Sequence, residues 1–197
     1  MVIRAGEPWG EAGLPPKFVR EAANEAELAD LWMCGVREAA LRSGTLCSTT
    51  STGAPGYRIR ADIDAVLVEW TGPNGKKVVP LFGTMIVGAG VLGMRTASIV
   101  TNSGFWRTRR LIPAAHPNDG MLDVLDISPD MSPAQRWMAW RRSVRLDHLP
   151  HPHLRVRRGH EWEWPGGACT LWIDGRKRIR ATRVMCSVVP DAMHLWL

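Results

Sequence analysis

Several features that define large protein classes are missing from this sequence. The four cysteines lie far apart and form no C-x-x-C pair, which favours reduced thiols over a disulfide framework or a zinc site. The first residues contain no apolar stretch of the kind that a secretory signal requires, so the expected location is the cytoplasm. No G-x-x-x-x-G-K-[ST] phosphate loop occurs. These absences predict a reduced, globular chain that does not hold a nucleotide through a P-loop.

Long apolar runs are also scarce. The longest one, residues 78–94, is broken by Pro80 and by several glycines, which predicts buried strands and turns rather than a membrane span. A chain of 197 residues with moderate charge is long enough to bury one sizeable core. We therefore expect a single globular domain.

Charge is distributed unevenly. Residues 1–50 hold five Lys/Arg against seven Asp/Glu, whereas residues 51–197 hold twenty against twelve. The basic clusters are Arg107, Arg109 and Arg110; Arg141, Arg142 and Arg145; Arg155, Arg157 and Arg158; and Arg176, Lys177, Arg178 and Arg180. Such a surface attracts phosphates, lipid headgroups or nucleic acid. The alternative is an ordinary solvated surface, and charge alone does not identify a partner.

The periodicity predicts two helices within a chain of strands. Apolar spacing indicates a helix over residues 24–42, capped by Asn24 and stopped at Ser43-Gly44, and a second helix over residues 132–145, capped by Ser132. The remainder shows short alternating strands with turns between them, including a hairpin turn at 72–77 and a turn at 190–192. The predicted fold class is β-rich α+β, a two-layer antiparallel β-sandwich (51–197) preceded by a helical segment (1–50), as one domain.

Two further patterns are weak. GAGVLG, residues 88–93, matches the dinucleotide fingerprint, but the next residues form a short, β-branched stretch where a helix is needed, so a glycine-rich turn is preferred. The histidines of DHLPHPH (residues 147–153) suggest a metal site, yet no Cys or carboxylate lies at helical spacing from them to complete a ligand set.

Ten tryptophans beside arginine clusters raise the idea of base stacking. Trp162, Trp164 and Trp172 alternate on predicted strands, however, and are more simply explained as core residues. Nucleic acid is therefore the less favoured partner.

Three blocks of residues in a fixed order resemble a known family. A predicted strand ends in Asn102, the stretch HPNDGMLDVLD leads through a turn into a strand, and Asp-Gly and Pro-x-Ala pairs come later in the chain. The matching positions are Asn102, Pro113, Ala115, Asp119, Gly120, Leu122, Asp123, Val124, Asp174, Gly175, Pro190 and Ala192. Residues 96–197 thereby resemble the C-terminal β-sandwich lobe of the diacylglycerol kinase and sphingosine kinase-like lipid kinases, and look most like a short, stand-alone actinobacterial variant of it.

Departures from the family pattern bear on catalysis. The family's nucleotide-binding lobe, with its Gly-Gly-Asp-Gly-Thr loop, has no counterpart in this sequence. Arg176 stands where the resemblance implies a catalytic Glu, and an Arg cannot accept a proton from a lipid hydroxyl. The resemblance leaves Asp174 as the candidate catalytic residue and predicts that this chain alone is not a complete ATP-dependent lipid kinase.

The resemblance also implies a site for an anionic or amphipathic, lipid-like ligand. The candidate ligand-binding residues are Asn102, Arg107, Arg109, Arg110, Arg176 and Lys177. Asp119 and neighbouring carbonyls offer oxygen ligands for Mg²⁺ or Ca²⁺. Asn-Asp-Gly is also ordinary turn sequence, and a structural Asp119 is the preferred interpretation. No other cofactor is indicated.

Three functions remain open on the sequence alone. The first is a non-catalytic binder of an anionic or lipid-like ligand, cytoplasmic and in contact with a membrane surface. The second is one lobe of a split lipid kinase whose ATP-binding lobe is a separate chain. The third is a basic protein associated with nucleic acid. The identity of the ligand and the formation of a homo-oligomer are left open as well.

Overall fold

The computed structural model describes residues 10–49, 58–89, 96–175 and 179–197. The helices are α1 (Glu25–Met33) and α2 (Pro133–Arg142). The strands, in chain order, are β1 (Glu11–Gly13), β2 (Arg20–Ala22), β3 (Glu38–Leu41), β4 (Arg58–Gly72), β5 (Gly75–Leu81), β6 (Thr84–Ala89), β7 (Thr96–Thr101), β8 (Phe105–Trp106), β9 (Arg109–Arg110), β10 (Leu122–Ile127), β11 (Leu154–Gly159), β12 (Glu161–Glu163), β13 (Cys169–Ile173), β14 (Ile179–Ala181) and β15 (Arg183–Trp196).

The strands form two sheets and a small hairpin. The first sheet has the order β1-β4-β15-β3-β2, with β5 beside β4 and β12 beside β15. The second has the order β11-β10-β7-β6-β13-β14, and β8 pairs with β9. The strand pairs are antiparallel apart from β2–β3 and β3–β15, which are parallel. The predicted β-rich sandwich is confirmed, with a parallel edge that the sequence did not indicate.

The two sheets pack face to face over one apolar cluster. Val66 and Val184 enter it from the first sheet, and Met85, Val100 and Leu171 enter it from the second. Each such burial is worth roughly 1.5–3 kcal/mol, so this interior is a main source of stability.

The tryptophans divide between this interior and the surface. Trp162 and Trp164 are buried in the cluster, as their alternation predicted. Trp172, which was predicted with them, is only partly buried and lines a cleft on the outer face of the second sheet.

The hairpin between β4 and β5 was predicted correctly. Gly72 pairs with Gly75 across Pro73-Asn74, and Gly75 has φ +89°, a conformation that glycine adopts without steric cost.

The turn predicted at residues 190–192 is a bulge inside the long strand β15. The register of β15 against β4 shifts between Val189 and Met193, and Asp191 has φ +49°. The backbone leaves the regular ladder at this point without reversing direction. The sequence signals of a turn and of a bulge are the same here, because Pro and Asp both favour irregular backbone.

The first predicted helix begins correctly but ends too late. Asn24 Oδ1 accepts the Glu27 N–H at 3.1 Å, which caps α1 as expected. Gly35, at φ +86°, ends the helix long before the predicted stop at Ser43-Gly44. Residues 38–41 form β3, whose buried apolar side chains continue the spacing that predicts a helix over residues 24–42. Residues 10–41 thus supply three short strands to the first sheet, and the N-terminal segment is not simply helical.

The second helix has the predicted cap. Ser132 Oγ accepts the Gln135 N–H at 3.3 Å, and the Gln135 side chain accepts the Ser132 N–H at 2.9 Å. The helix ends at Arg142 and continues as a 3₁₀ turn over Ser143–Arg145. No residue of α2 is buried. The helix lies on the outer face of the second sheet, where Trp140 packs against a small apolar cluster that includes Ile99 and Leu125.

The weaker sequence patterns have structural explanations. Gly88 lies in β6, which pairs antiparallel with β7, so the parallel strand–helix–strand unit of a dinucleotide site does not begin there; Gly90 and Gly93 lie outside the described residues.

The four cysteines are free. In the described part of the chain, no helix is long and apolar enough to cross a membrane.

Candidate functional site

Asp174 directly follows β13 and holds the turn between β5 and β6. Its Oδ1 atom accepts the N–H groups of Thr84 at 2.8 Å and Gly83 at 3.1 Å, and its Oδ2 atom accepts the Phe82 N–H at 3.3 Å. Asp174 has φ +44° and Gly175 has φ +73°, so a left-handed turn ends the strand. The carboxylate therefore fixes two chain segments that are far apart in sequence.

Glu25 is a second fixed carboxylate. It is the first residue of α1 and is only 7% exposed. One of its oxygens accepts the Thr45 hydroxyl at 2.9 Å and the Leu46 N–H at 3.1 Å. The amide dipoles at a helix N-terminus favour a negative charge at this position.

The two carboxylates meet beside two glycines. A Cβ placed on Gly83 would lie 2.6 Å from Asp174 Oδ1, 3.1 Å from Thr45 Oγ1 and 3.2 Å from Glu25 Cγ, so the three side chains converge on one point. A Cβ on Gly44, which has φ +137°, would lie 2.2 Å from both Glu25 carboxylate oxygens. Any larger side chain at either glycine would displace the acidic pair.

Burial and a neighbouring like charge set the protonation of Asp174. Removal from water raises the pKa of Asp174 to about 7, and the neighbouring Glu25 carboxylate adds to that rise, against the opposing effect of the three backbone N–H groups. Asp174 thus holds a proton over part of the neutral range. A carboxyl group near neutral pKa can both donate and accept a hydrogen bond.

A cleft of about 780 Å³ opens beside the acidic pair. Its lining is Glu25, Gly44, Thr45, Thr84, Ile86, Trp106, Arg107, Thr108, Trp172, Asp174 and Gly175. Strands β6 and β13 form its floor, and the β8–β9 hairpin forms one wall. Acidic and hydroxyl groups therefore lie beside two indole rings, with the exposed Arg107 at the rim.

The cleft unites two of the predicted site residues, Asp174 and Arg107. Arg109 is not available to it, because its guanidinium donates to the Trp140 carbonyl at 2.7 Å and lies 4.0 Å from the centre of the Trp140 ring. Arg110 donates to the Pro113 carbonyl at 2.7 Å. Arg176 and Lys177 lie outside the described residues, so their predicted roles stay predictions.

Asn102 belongs to a different place, a group around the buried Asp64 that we call the Asp64 cluster (Asp64, Asn102, Gly120 and Asp191). Asp64 is fully buried, and its two oxygens accept the Gly120 N–H at 2.7 Å and the Asp191 N–H at 2.9 Å. Asn102 Nδ2 donates to the Asp64 carbonyl at 2.7 Å. Asn102 is 0% exposed. Its predicted contact with a ligand is therefore corrected to a structural role.

The same cluster explains why the resembling blocks occur together. Asn102 comes from the first block, Gly120 from the Asp-Gly turn, and Asp191 lies between the Pro and Ala of the last block. All three are tied to Asp64 in β4. Burial raises the pKa of Asp64, while the two backbone N–H bonds oppose that shift.

Asp119, the candidate metal ligand, is paired with a side chain of the protein. Its Oδ2 atom forms an ion pair with Arg158, and its Oδ1 atom accepts the Met121 N–H at 3.0 Å. Arg158 also lies 3.4 Å from Asp123 Oδ1 and donates to the Ala114 carbonyl at 3.1 Å. One guanidinium thus occupies the position among three oxygen groups where a cation would lie. The residues present do not fit a divalent metal site.

The histidine stretch does not assemble a metal site either. His148 Nε2 is 2.7 Å from the Leu111 carbonyl, and His151 Nδ1 accepts the His153 N–H at 3.1 Å. Among the residues that the structure describes, no group of three or more His, Cys, Asp or Glu side chains is arranged to hold a metal ion.

Sequence reasoning missed Glu25, Thr45 and Trp106. Glu25 lies within the predicted first helix, and the sequence patterns assign no site role to Thr45 or Trp106. The only local signal was Gly44, which had been interpreted as a helix stop. Long-range contacts bring these residues to Asp174, and no spacing in the sequence encodes them.

The chain is similar in structure to diacylglycerol kinases. One structure, a candidate diacylglycerol kinase from Bacillus anthracis, has a TM-score of 0.46 at 9% identity over 70% of this chain and 56% of its own. A second diacylglycerol kinase structure from that organism has a TM-score of 0.43 at 9% identity, with the same coverage. This chain therefore spans little more than half the length of either protein.

No protein-family model and no curated protein matches the sequence. Because the TM-scores are below 0.5, the function is inferred from this chain's own residues.

Proposed function

We propose that this chain is a lipid-kinase-like lobe that binds a hydroxyl-bearing amphipathic ligand in the cleft and does not transfer phosphate on its own. The observation that carries the proposal is the convergence of Glu25, Asp174 and Thr45 beside two tryptophans. A pocket lined by apolar rings with a few fixed polar groups is the usual form of a small-molecule site.

The chemistry of the lining selects the ligand class. Carboxylates and threonine hydroxyls bind the hydroxyl groups of a polyol-like headgroup, because each pair has a donor and an acceptor. Trp106 and Trp172 offer flat apolar surface with a polar edge. Arg107 at the rim can pair with a phosphate or carboxylate on the same ligand. An amphipathic molecule with a free hydroxyl contacts the polar groups, the tryptophan rings and Arg107 at the same time.

Phosphoryl transfer by the chain alone is not expected. The sequence has no phosphate loop, and Arg176 replaces the carboxylate that the resemblance implies as catalytic. Incubation of the purified chain with labelled ATP, Mg²⁺ and dioctanoylglycerol should give no labelled lipid above the level of a boiled sample. Sustained turnover would contradict this part of the proposal.

One observation favours the split-kinase alternative. The pKa of Asp174 is raised to about 7 by burial, a value suited to accepting a proton from a hydroxyl at neutral pH. If a separate ATP-binding chain completes the enzyme, the mixture of the two chains should phosphorylate a lipid, and Asp174→Asn should abolish that activity.

Binding to the cleft can be tested with monomeric short-chain lipids. Dioctanoylglycerol and dioctanoyl-phosphatidylglycerol, below their aggregation concentrations, are titrated in a calorimeter into wild type, Asp174→Asn and Thr45→Val. Asp147→Asn is the matched control, since Asp147 is exposed and lies outside the cleft. We expect affinity to fall at least about tenfold in both cleft variants, as loss of a hydrogen bond to a charged group implies. Undetectable binding to wild type, or equal affinity in all four proteins, would overturn the proposal.

A further inference from the structure

Helix α2 and the turn after it form a surface that is apolar and basic at once, residues 133–146, which we call the α2 surface. No residue of α2 is buried. Four large apolar side chains are exposed here: Trp137 (56%), Met138 (41%), Val144 (67%) and Leu146 (42%). Exposed apolar side chains concentrated in one short segment indicate a contact surface rather than a random exterior.

The charge of the α2 surface has one sign. It carries Arg136, Arg141, Arg142 and Arg145 and no Asp or Glu. Arg136 turns inward and donates to the carbonyls of Met131 and Ser128. Arg141, Arg142 and Arg145 are exposed, and none of them joins an ion pair in the described part of the chain.

Apolar and basic groups alternate within this surface. The Arg141 guanidinium lies 4.8 Å from the centre of the Trp137 ring. Arg142 and Arg145 flank Val144. A tryptophan and arginines in this arrangement suit the interface of a bilayer, where rings and aliphatic groups enter the headgroup layer and arginines pair with lipid phosphates. A nucleic acid would satisfy the arginines but would leave Met138, Val144 and Leu146 in water.

The α2 surface is joined to the cleft through two packed tryptophan rings. Trp140, on the inward side of α2, packs on Trp106 with ring centroids 4.9 Å apart. Trp106 in turn lines the cleft. Arg109 fastens the hairpin to the helix by donating to the Trp140 carbonyl at 2.7 Å. The helix and the wall of the cleft therefore form one packed unit.

We propose that the α2 surface docks on anionic membrane lipid and thereby places the neighbouring cleft at the bilayer. The proposal deepens the proposed function, on which it rests for the nature of the cleft's ligand. Docking itself depends on Trp137, Met138, Val144, Leu146 and the three exposed arginines, none of which contributes to the acidic pair.

The test is sedimentation with vesicles of phosphatidylcholine alone and of phosphatidylcholine mixed with phosphatidylglycerol. One variant is Arg141→Gln/Arg142→Gln/Arg145→Gln, and its matched control is Arg20→Gln/Arg42→Gln/Arg183→Gln, which removes the same charge from exposed positions elsewhere. A second variant is Trp137→Ser/Met138→Ser, with Phe18→Ser, a 96% exposed residue, as its control. Melting curves check that each variant is folded.

Wild type should bind the anionic vesicles, and salt should weaken that binding. Loss of the three α2 arginines should lower the partition coefficient by on the order of 100-fold, at about fivefold for each arginine. The control triple should change it much less. Trp137→Ser/Met138→Ser should also reduce binding, whereas Phe18→Ser should not.

The outcomes separate this proposal from the proposed function. Asp174→Asn should still sediment with anionic vesicles even though it loses monomeric lipid, and the α2 arginine variant should show the reverse. Equal binding to neutral and anionic vesicles, equal loss in the two arginine triples, or binding to an oligonucleotide without binding to vesicles would overturn the α2 proposal and leave the cleft proposal standing.

Discussion

The Asp64 cluster and the acidic cleft are both built from carboxylates fixed by backbone N–H groups, yet they face opposite environments. In the Asp64 cluster the two carboxylate oxygens are used internally, by Gly120 and Asp191, and no part of Asp64 reaches solvent. In the cleft, Asp174 is held just as firmly by three N–H groups but lines an open cavity together with Glu25. The same chemistry makes a structural tie in one place and a candidate binding site in the other.

The difference shows what the resembling motifs encode. Asn102, Gly120 and Asp191 mark the points where distant segments are joined to β4, so their joint appearance reflects the packing of the sandwich. Of the resembling residues, Asp174 is the one whose carboxylate lines the cleft, and Glu25 and Thr45, which converge on it, lie outside the motifs.

The largest expected effect comes from breaking the Asp64 cluster. Asp64→Ala removes the buried carboxylate that accepts the Gly120 and Asp191 N–H groups, and so breaks the link between the bulge of β15 and the Asp-Gly turn. Two lost hydrogen bonds to a buried charged group correspond to about 3–5 kcal/mol of unfolding free energy. Urea unfolding followed by tryptophan fluorescence measures this loss.

The neighbouring Asp62 provides the control. It is paired with His194, and both side chains are 42% exposed. An exposed pair of this kind contributes about 0–1 kcal/mol, so Asp62→Ala should be mild. A similar loss of unfolding free energy in the two variants would show that the hydrogen bonds of Asp64 to the Asp-Gly turn and the β15 bulge are not a main source of stability.

Much of the fold was predictable, because it depends on local signals. The alternation within residues 57–70, the hairpin turn at 72–77 and the caps at Asn24 and Ser132 are all signals that act within a few residues. The predicted first helix is too long for a physical reason: a helix and a buried strand both place apolar side chains in runs, and the apolar pattern continues past Gly35, where the helix ends.

The candidate site was predictable only in part. Asp174 and Arg107 were identified through the resemblance and the charge pattern. Glu25 lies 149 positions before Asp174 in the sequence, and its place depends on how α1 packs on the sheets. The close approach at Gly83 is likewise a property of the assembled layers, which no local pattern specifies.

A smaller effect concerns the pH dependence of stability. Burial raises the pKa of Asp174 from 3.8 to about 7. Between about pH 4 and pH 7 the folded protein keeps a proton that the unfolded chain has released, so stability falls as pH rises through this window and is then level. The contribution of Asp174 is on the order of 2 kcal/mol after allowance for its partial exposure. Urea unfolding at a series of pH values gives the slope.

The comparison with Asp174→Asn isolates this contribution. Asp123, whose pKa burial raises to about 6, acts in the same direction and remains in both proteins. The slope of wild type should therefore exceed that of Asp174→Asn over the upper part of the window, while Asp147→Asn should follow wild type. Parallel curves for wild type and Asp174→Asn would contradict the assignment.

The smallest expected effect belongs to Asp119, which the resemblance marked as a metal ligand and the structure pairs with Arg158. Burial raises the pKa of Asp119, and the adjacent Arg158 opposes that rise. The buried negative charge of Asp119 therefore costs desolvation free energy, which the ion pair with Arg158 offsets in part. Asp119→Asn keeps an acceptor for the Met121 N–H and leaves Arg158 with Asp123 and Ala114. We expect a loss of about 1 kcal/mol in unfolding free energy.

Metal ions sharpen this last comparison. An ion that binds only the folded state stabilises it by about 2.7 kcal/mol at a hundredfold excess over its Kd, which a melting curve detects readily. Because the Arg158 guanidinium already lies among the oxygens of Asp119, Asp123 and Ala114, Mg²⁺, Ca²⁺ and chelator should leave the Tm of wild type and of Asp119→Asn unchanged. Arg158→Ala removes the guanidinium and exposes two carboxylates to the same space, so only this variant should gain stability from a divalent ion. A rise in wild type that Asp119→Asn lacks would show that Asp119 holds a metal after all.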